Sequence, residues 1–218
     1  MAVYVGGLAS QRQVALDYTS QPYHMIVDAH HRLGPFCLRD LLDELREGGY
    51  HAIQAREWVP LAGEGMGWWT RARAAANFDI TYARYAMPTR MVGRPALYET
   101  AALRKIGGFD PLFDGVGDED TDVSIRMELH GFRQAQGTGL ARRVDTLDFH
   151  SAMRKFVKYG RGDARICEKY PEKRWAIIRH QLWVYPWVRG LRRWRFWPYF
   201  ALCGWVRFGA MVREVVNG

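Results

Sequence analysis

Leu38, Leu41, Leu42 and Leu45 recur at i, i+3, i+4 and i+7 between Gly34-Pro35 and Gly48-Gly49, which fixes an amphipathic helix with a defined start and stop. Short apolar runs flank it, Tyr23 to Val27 before and Tyr50 to Ala55 after, and each reads as a strand. Strand, helix and strand in that order specify a crossover unit, so the chain is expected to be α/β, with a mostly parallel sheet flanked by helices. Ser10 to Thr19, Trp68 to Asn77 and Thr100 to Ile106 read as further helices, the last capped by Thr100. Ala2 to Val5 is a short apolar stretch, and Pro60 to Gly67 and Pro88 to Pro95 are loop-like. At 218 residues and 48% hydrophobic content, the chain can bury one sizeable core with an appendage.

Charge marks the appendage. Residues 151–218 carry 15 Lys+Arg against 4 Asp+Glu, whereas residues 1–150 carry 16 against 19. Six of the nine tryptophans fall in the same basic region. These shifts place a boundary between a body, 1–170, and a basic, Trp-rich helical tail, 171–218. The longest uncharged stretch of the tail, Phe196 to Val206, contains Pro198 and falls short of the roughly 20 apolar residues that a membrane-spanning helix requires. Arginines interleaved with tryptophans suit helices lying in the headgroup region of an anionic membrane. Basic residues and aromatics also suit nucleic acid, but no nucleic-acid motif is present, and the membrane surface is the expected partner. Cys37, Cys167 and Cys203 have no metal-binding spacing and are odd in number, which favours a reducing cytosol. Met1 to Leu8 has no secretory pattern.

The chemistry concentrates in Gly107 to Gly131, where Asp118, Glu119, Asp120 and Asp122 share five positions before an apolar-periodic run. Asp118 can cap a helix there and Gly131 can end it. Acids in a first helical turn are stabilised by the backbone dipole whatever their function. Four of them crowd one another, however, and crowding raises the proton affinity of at least one, as a general base requires. Asp28 and His30 stand where the first strand stops, and in extended backbone a spacing of two points both side chains the same way. Together they offer an oxygen and a nitrogen to one divalent cation, or are polar residues at a strand end. His150 precedes Ser151, a plausible cap for the next helix. Trp68 and Trp69 suit either a sugar-acceptor wall or core packing.

The order of these pieces, VDAHH, PALYETAALRKIGGFDPLF, GDEDTDVSIRMELHGFR and a histidine before RKFVKYGRG, resembles the inverting family 2 glycosyltransferases of the GT-A fold across roughly residues 8–170. The resemblance implies that Asp28 and His30 form the metal-binding D-x-D element in its D-x-H form. They would hold Mg²⁺ or Mn²⁺ against a nucleotide-sugar diphosphate. It implies that Asp120 is the base deprotonating the acceptor hydroxyl, with Glu119 and Asp118 positioning it, and that His150 completes the metal shell or touches the diphosphate; the alternative for His150 is a buried, hydrogen-bonded histidine. Arg12, Gly108, Arg126 and Trp69 are expected around donor and acceptor; Arg126 is equally placed for a structural salt bridge, and Gln13 follows Arg12 where similar proteins have asparagine.

Only 27 residues precede Asp28, so the first two βα units of such a domain are expected to be missing, leaving a sheet edge open to homo- or hetero-oligomerisation. The expected function is transfer of a sugar from a nucleotide donor to a lipid-linked or cell-envelope glycan, in the cytoplasm at the inner face of the membrane. The alternative is a noncatalytic scaffold, or half of a split enzyme completed by a partner.

Overall fold

The computed structural model describes residues 6–58, 66–81, 87–88 and 95–217. The expectations for Ala2 to Val5 and for most of the Pro60 and Pro88 loops lie outside these residues. In chain order the elements are α1 (Leu8–Asp17), β1 (Tyr23–Ile26), β2 (His31–Leu33), α2 (Cys37–Glu47), β3 (Ala52–Trp58), α3 (Trp68–Thr81), β4 (Met87–Pro88), β5 (Ala96–Glu99), α4 (Thr100–Lys105), α5 (Glu119–Leu129) and β6 (Gln134–Arg143). There follow α6 (Phe149–Lys169), α7 (Arg174–Arg179), a π-helical stretch (His180–Arg189), α8 (Gly190–Arg192) and α9 (Trp197–Asn217).

The described residues form two compact units, one drawn from 1–59, 79–114 and 119–145, the other from 60–78, 115–118 and 146–218. The first holds a mixed sheet of order β1-β5-β3-β6-β2, with β4 also on β6. The expectation of a mostly parallel sheet is corrected here. Among the described strands only β3 and β6 pair in parallel, and β5 runs antiparallel to both β1 and β3. The β1-α2-β3 crossover is present, but β5 is inserted between its two strands. α2 covers one face, where Cys37, Leu41 and Leu45 pack against Ile53, Ala55, Leu97, Ala135 and Ala141. Of the leucines that define its stripe, Leu38 remains half exposed.

In the second unit α6 and α9 pack lengthwise around Phe156, Tyr199, Phe200 and Cys203, with Ala72 and Ala76 of α3 in the same cluster. The boundary expected at residue 171 therefore lies inside a unit. Charge and tryptophan content mark what the tail exposes, whereas Tyr199, Phe200 and Cys203 mark what it buries. Asp163 of α6 ties the two sides together. Its carboxylate accepts from Gln181 and from Arg207, whose Nη2 donates at 2.7 Å. No helix among the described residues is long and apolar enough to cross a membrane.

Two expected caps are replaced by neighbours. Thr100 is the first residue of α4 and Glu99 stands at the cap without a side-chain bond. α6 is capped by Asp148, which accepts from Ser151 N–H at 2.7 Å, so Ser151 lies inside the helix.

Candidate active site

The segment after α4 grips α1 and so aims Arg12. Asp114 accepts from Gly7 N–H at 3.2 Å, from Ser10 N–H at 3.0 Å and from the Ser10 hydroxyl, satisfying the orphan donors of the first turn of α1. At the other end Arg104 Nη2 donates to the carbonyls of Leu16 and Thr19 at 3.0 and 2.5 Å. Between them Gln13 Oε1 accepts from Phe109 N–H at 2.7 Å. That approach explains Gly108, whose φ is +68° and where a Cβ would stand 2.0 Å from Gln13 Oε1. Gln13, which departs from the family asparagine, is thus occupied in placing the Gly108 turn.

Held in this way, Arg12 joins the two motifs. Its Nη2 donates to Asp28 Oδ1 at 2.8 Å and its Nη1 to Glu119 Oε1 at 2.7 Å, with the side chain only 11% exposed. Asp28 and Glu119, far apart in sequence, therefore belong to one cluster. Asp120 follows at the first turn of α5, half-buried, with Oδ1 accepting from Thr121 N–H at 2.8 Å. Burial and the neighbouring Glu119 push its carboxyl up to about 7, against the opposing pull of Arg12 and the backbone N–H groups. The buried Tyr98 phenol is raised too, by burial first and then by Asp120, with Glu119 and Asp28 adding to it.

Asp28 is followed by a turn in which its carbonyl accepts from His31 N–H at 2.9 Å, while the His30 carbonyl accepts from Val144 N–H at 2.9 Å. The extended backbone expected across Asp28 to His30 is corrected by this turn, which brings His31 round as well. Asp28 Oδ2 lies 3.7 Å from His30 Nε2 and 3.9 Å from His31 Nδ1. These three residues form the candidate metal cluster among the described residues, one ligand atom from each falling within 4.8 Å of the others. Burial, followed by Arg143, lowers His30 to about 4, which keeps its ring neutral and able to ligate. A borderline divalent cation fits this nitrogen and oxygen set. His31 had no assigned role in the sequence; the doubled histidine was the available signal.

The other expected site residues are placed as follows. Arg126 donates twice to Asp122 Oδ2, at 2.8 and 2.5 Å, and to the Ile106 carbonyl at 2.6 Å. Asp118 has φ +64°, outside the extended backbone usual for a capping residue, and its Oδ2 lies 3.6 Å from Arg207. Trp69, partly buried, packs against Phe149 and Tyr199 at ring separations of 5.3 and 5.7 Å, on the core of the second unit. His150 stands exposed in the first turn of α6 in that same unit.

The mixed sheet flanked by helices is of the GT-A class, with clustered carboxylates at the start of α5 and an Asp/His metal candidate after β1. The family model described as "Glycosyl transferase family group 2" matches residues 24–212, and the chain belongs to that family. Among solved structures, GalNAc-T7 with UDP, GalNAc and Mn²⁺ is similar at TM-score 0.50 and 12% identity, over 70% of this chain and 34% of that one. S. aureus TarS 1-349 is similar at TM-score 0.48 and 12% identity, over 100% of this chain and 74% of that one. This chain thus spans about a third of the GalNAc-T7 chain, and at 12% identity that likeness bears on fold alone. No protein of curated function matches the sequence significantly.

Proposed function

We propose that the chain is an inverting, divalent-metal-dependent glycosyltransferase that moves a sugar from a nucleotide donor to a lipid-linked or cell-envelope glycan. The observation that carries this reading is the Arg12 bridge, which puts Asp28 and the Glu119-Asp120 pair into one cluster. Asp120 removes the proton from the acceptor hydroxyl as its oxygen attacks the anomeric carbon, and the bond from that carbon to the diphosphate breaks on the opposite face. A carboxyl with a pKa of about 7 is matched to that transfer near neutrality. Arg12 fixes Glu119 beside the base, and Asp28 and His30 would hold the metal. A bound divalent cation supplies charge neutralisation for the departing diphosphate. The test is release of nucleoside diphosphate from UDP- and GDP-sugars with Mn²⁺ and lipid-linked acceptors. Release with an inverted product anomer is expected; its absence with every donor, together with no nucleotide binding, favours the scaffold alternative.

Residues 171–217 are proposed to rest on the cytoplasmic membrane face. Trp175, Trp183 and Trp194 are 78%, 61% and 74% exposed, with Arg174, Arg179, Arg192 and Arg195 among them. Aromatic rings beside guanidinium groups fit the headgroup layer of an anionic bilayer. Cosedimentation with phosphatidylglycerol vesicles is expected to fall roughly tenfold in the triple Trp→Ser variant and to vanish with phosphatidylcholine alone. Preferential binding to single-stranded RNA over vesicles would contradict this placement.

A further inference from the structure

His31 is 7% exposed, and its Nδ1 has no hydrogen-bond partner among the described residues. A buried, unpartnered ring nitrogen is costly unless something else satisfies it. The opposite nitrogen explains which one is left over. His31 Nε2 lies 3.0 Å from Glu57 Oε2, and Glu57, itself 1% exposed, has Arg143 Nη1 at 3.4 Å as a counter-charge. With Nε2–H donating to that carboxylate, Nδ1 carries the lone pair, and it lies 3.9 Å from Asp28 Oδ2. A histidine fixed by a carboxylate on one side and left without a hydrogen-bond partner on the other is arranged as metal-ligating histidines are.

We propose that His31 ligates the divalent cation through Nδ1, oriented by Glu57, and that the resulting two-imidazole, one-carboxylate set selects Mn²⁺ over Mg²⁺. The inference rests on the metal-dependent reading above and deepens it. Adjacent ligands of an octahedral cation lie about 3 Å apart, so the cluster closes by side-chain shifts of roughly 1 Å. Asp28 Oδ1 stays with Arg12, leaving Oδ2 for the metal. Mn²⁺ is less hard than Mg²⁺ and accepts imidazole nitrogen more readily, whereas Mg²⁺ dehydrates reluctantly and prefers oxygen alone. Glu57 is a positioning residue, since it acts only through His31.

Pulsed electron paramagnetic resonance of Mn²⁺ bound to the purified full chain tests this without disturbing the buried pair. In the His30→Ala/His150→Ala variant one imidazole ¹⁴N coupling is expected to remain; bound Mn²⁺ without nitrogen coupling overturns the role of His31 and leaves the metal reading intact. Glu57→Gln is expected to weaken Mn²⁺ binding roughly tenfold, and an unchanged affinity overturns the positioning role. In the parent chain an equimolar amount of Mg²⁺ should leave bound Mn²⁺ in place, and full displacement overturns the selectivity. If the parent binds no Mn²⁺ at all, the metal-dependent function fails and this inference fails with it.

Discussion

Asp120→Asn is expected to lower turnover by about 10² to 10⁴-fold while leaving the fold and nucleotide affinity in place. The substitution keeps the shape and removes the proton acceptor. In the parent enzyme kcat/KM should rise with pH and level off above about 7, where the Asp120 carboxylate is populated. This limb is set first by burial, which raises the pKa, then by Glu119, whose charge raises it further, against Arg12 and the backbone N–H groups, which lower it. Stability should run the opposite way. A folded pKa above the unfolded one means that the native state binds more protons, so this carboxyl's contribution is complete below about pH 4 and is lost as pH rises through about 7. Asp120→Asn should flatten that loss. Turnover unchanged in Asp120→Asn, or a pH limb that stays in the variant, would assign the base elsewhere.

Arg12→Met is expected to cost roughly 3 kcal/mol in denaturant unfolding, because it leaves Asp28 and Glu119 facing each other in a poorly solvated site with no cation between them. Glu119 is 8% exposed on its side chain and Asp28 22%, so little water can screen the pair. With Arg12 gone, Asp120 also loses the charge that opposes its upward shift, and its activity limb should move to higher pH. Arg12→Lys keeps the charge but cannot bridge both acids in the same geometry, so it should recover stability more than turnover. An unfolding midpoint unchanged in Arg12→Met would show that the bridge contributes nothing.

The crossover β1-α2-β3 was legible because Leu41 and Leu45 face the sheet at helical spacing. Strand β6 was not, because QAQGTGLARR has little β propensity. Its glycines answer to packing instead. A Cβ at Gly137 would meet Leu41 Cδ2 at 2.6 Å, and one at Gly139 would meet the Cys37 carbonyl at 2.7 Å, so α2 can sit down only on a bare strand. β5 is four residues long and enters antiparallel from a distant part of the chain, which no local period records. At the site the acids were legible as a cluster, and Asp28 and His30 as a pair. The role of Arg12 as a bridge was not, since it depends on Asp114 and Gln13 fixing α1 against a segment about a hundred residues away. His31 escaped because an extended-strand pattern points it away from Asp28, whereas the turn brings it back.

The most direct measurement is a Mn²⁺ titration of nucleoside diphosphate release by the parent chain and by Asp28→Ala. If the D-x-H pair and Asp120 serve one reaction, release in the parent rises with Mn²⁺ to saturation, and Asp28→Ala loses both the rate and its dependence on the metal. A titration curve in Asp28→Ala that superimposes on the parent's would contradict the account.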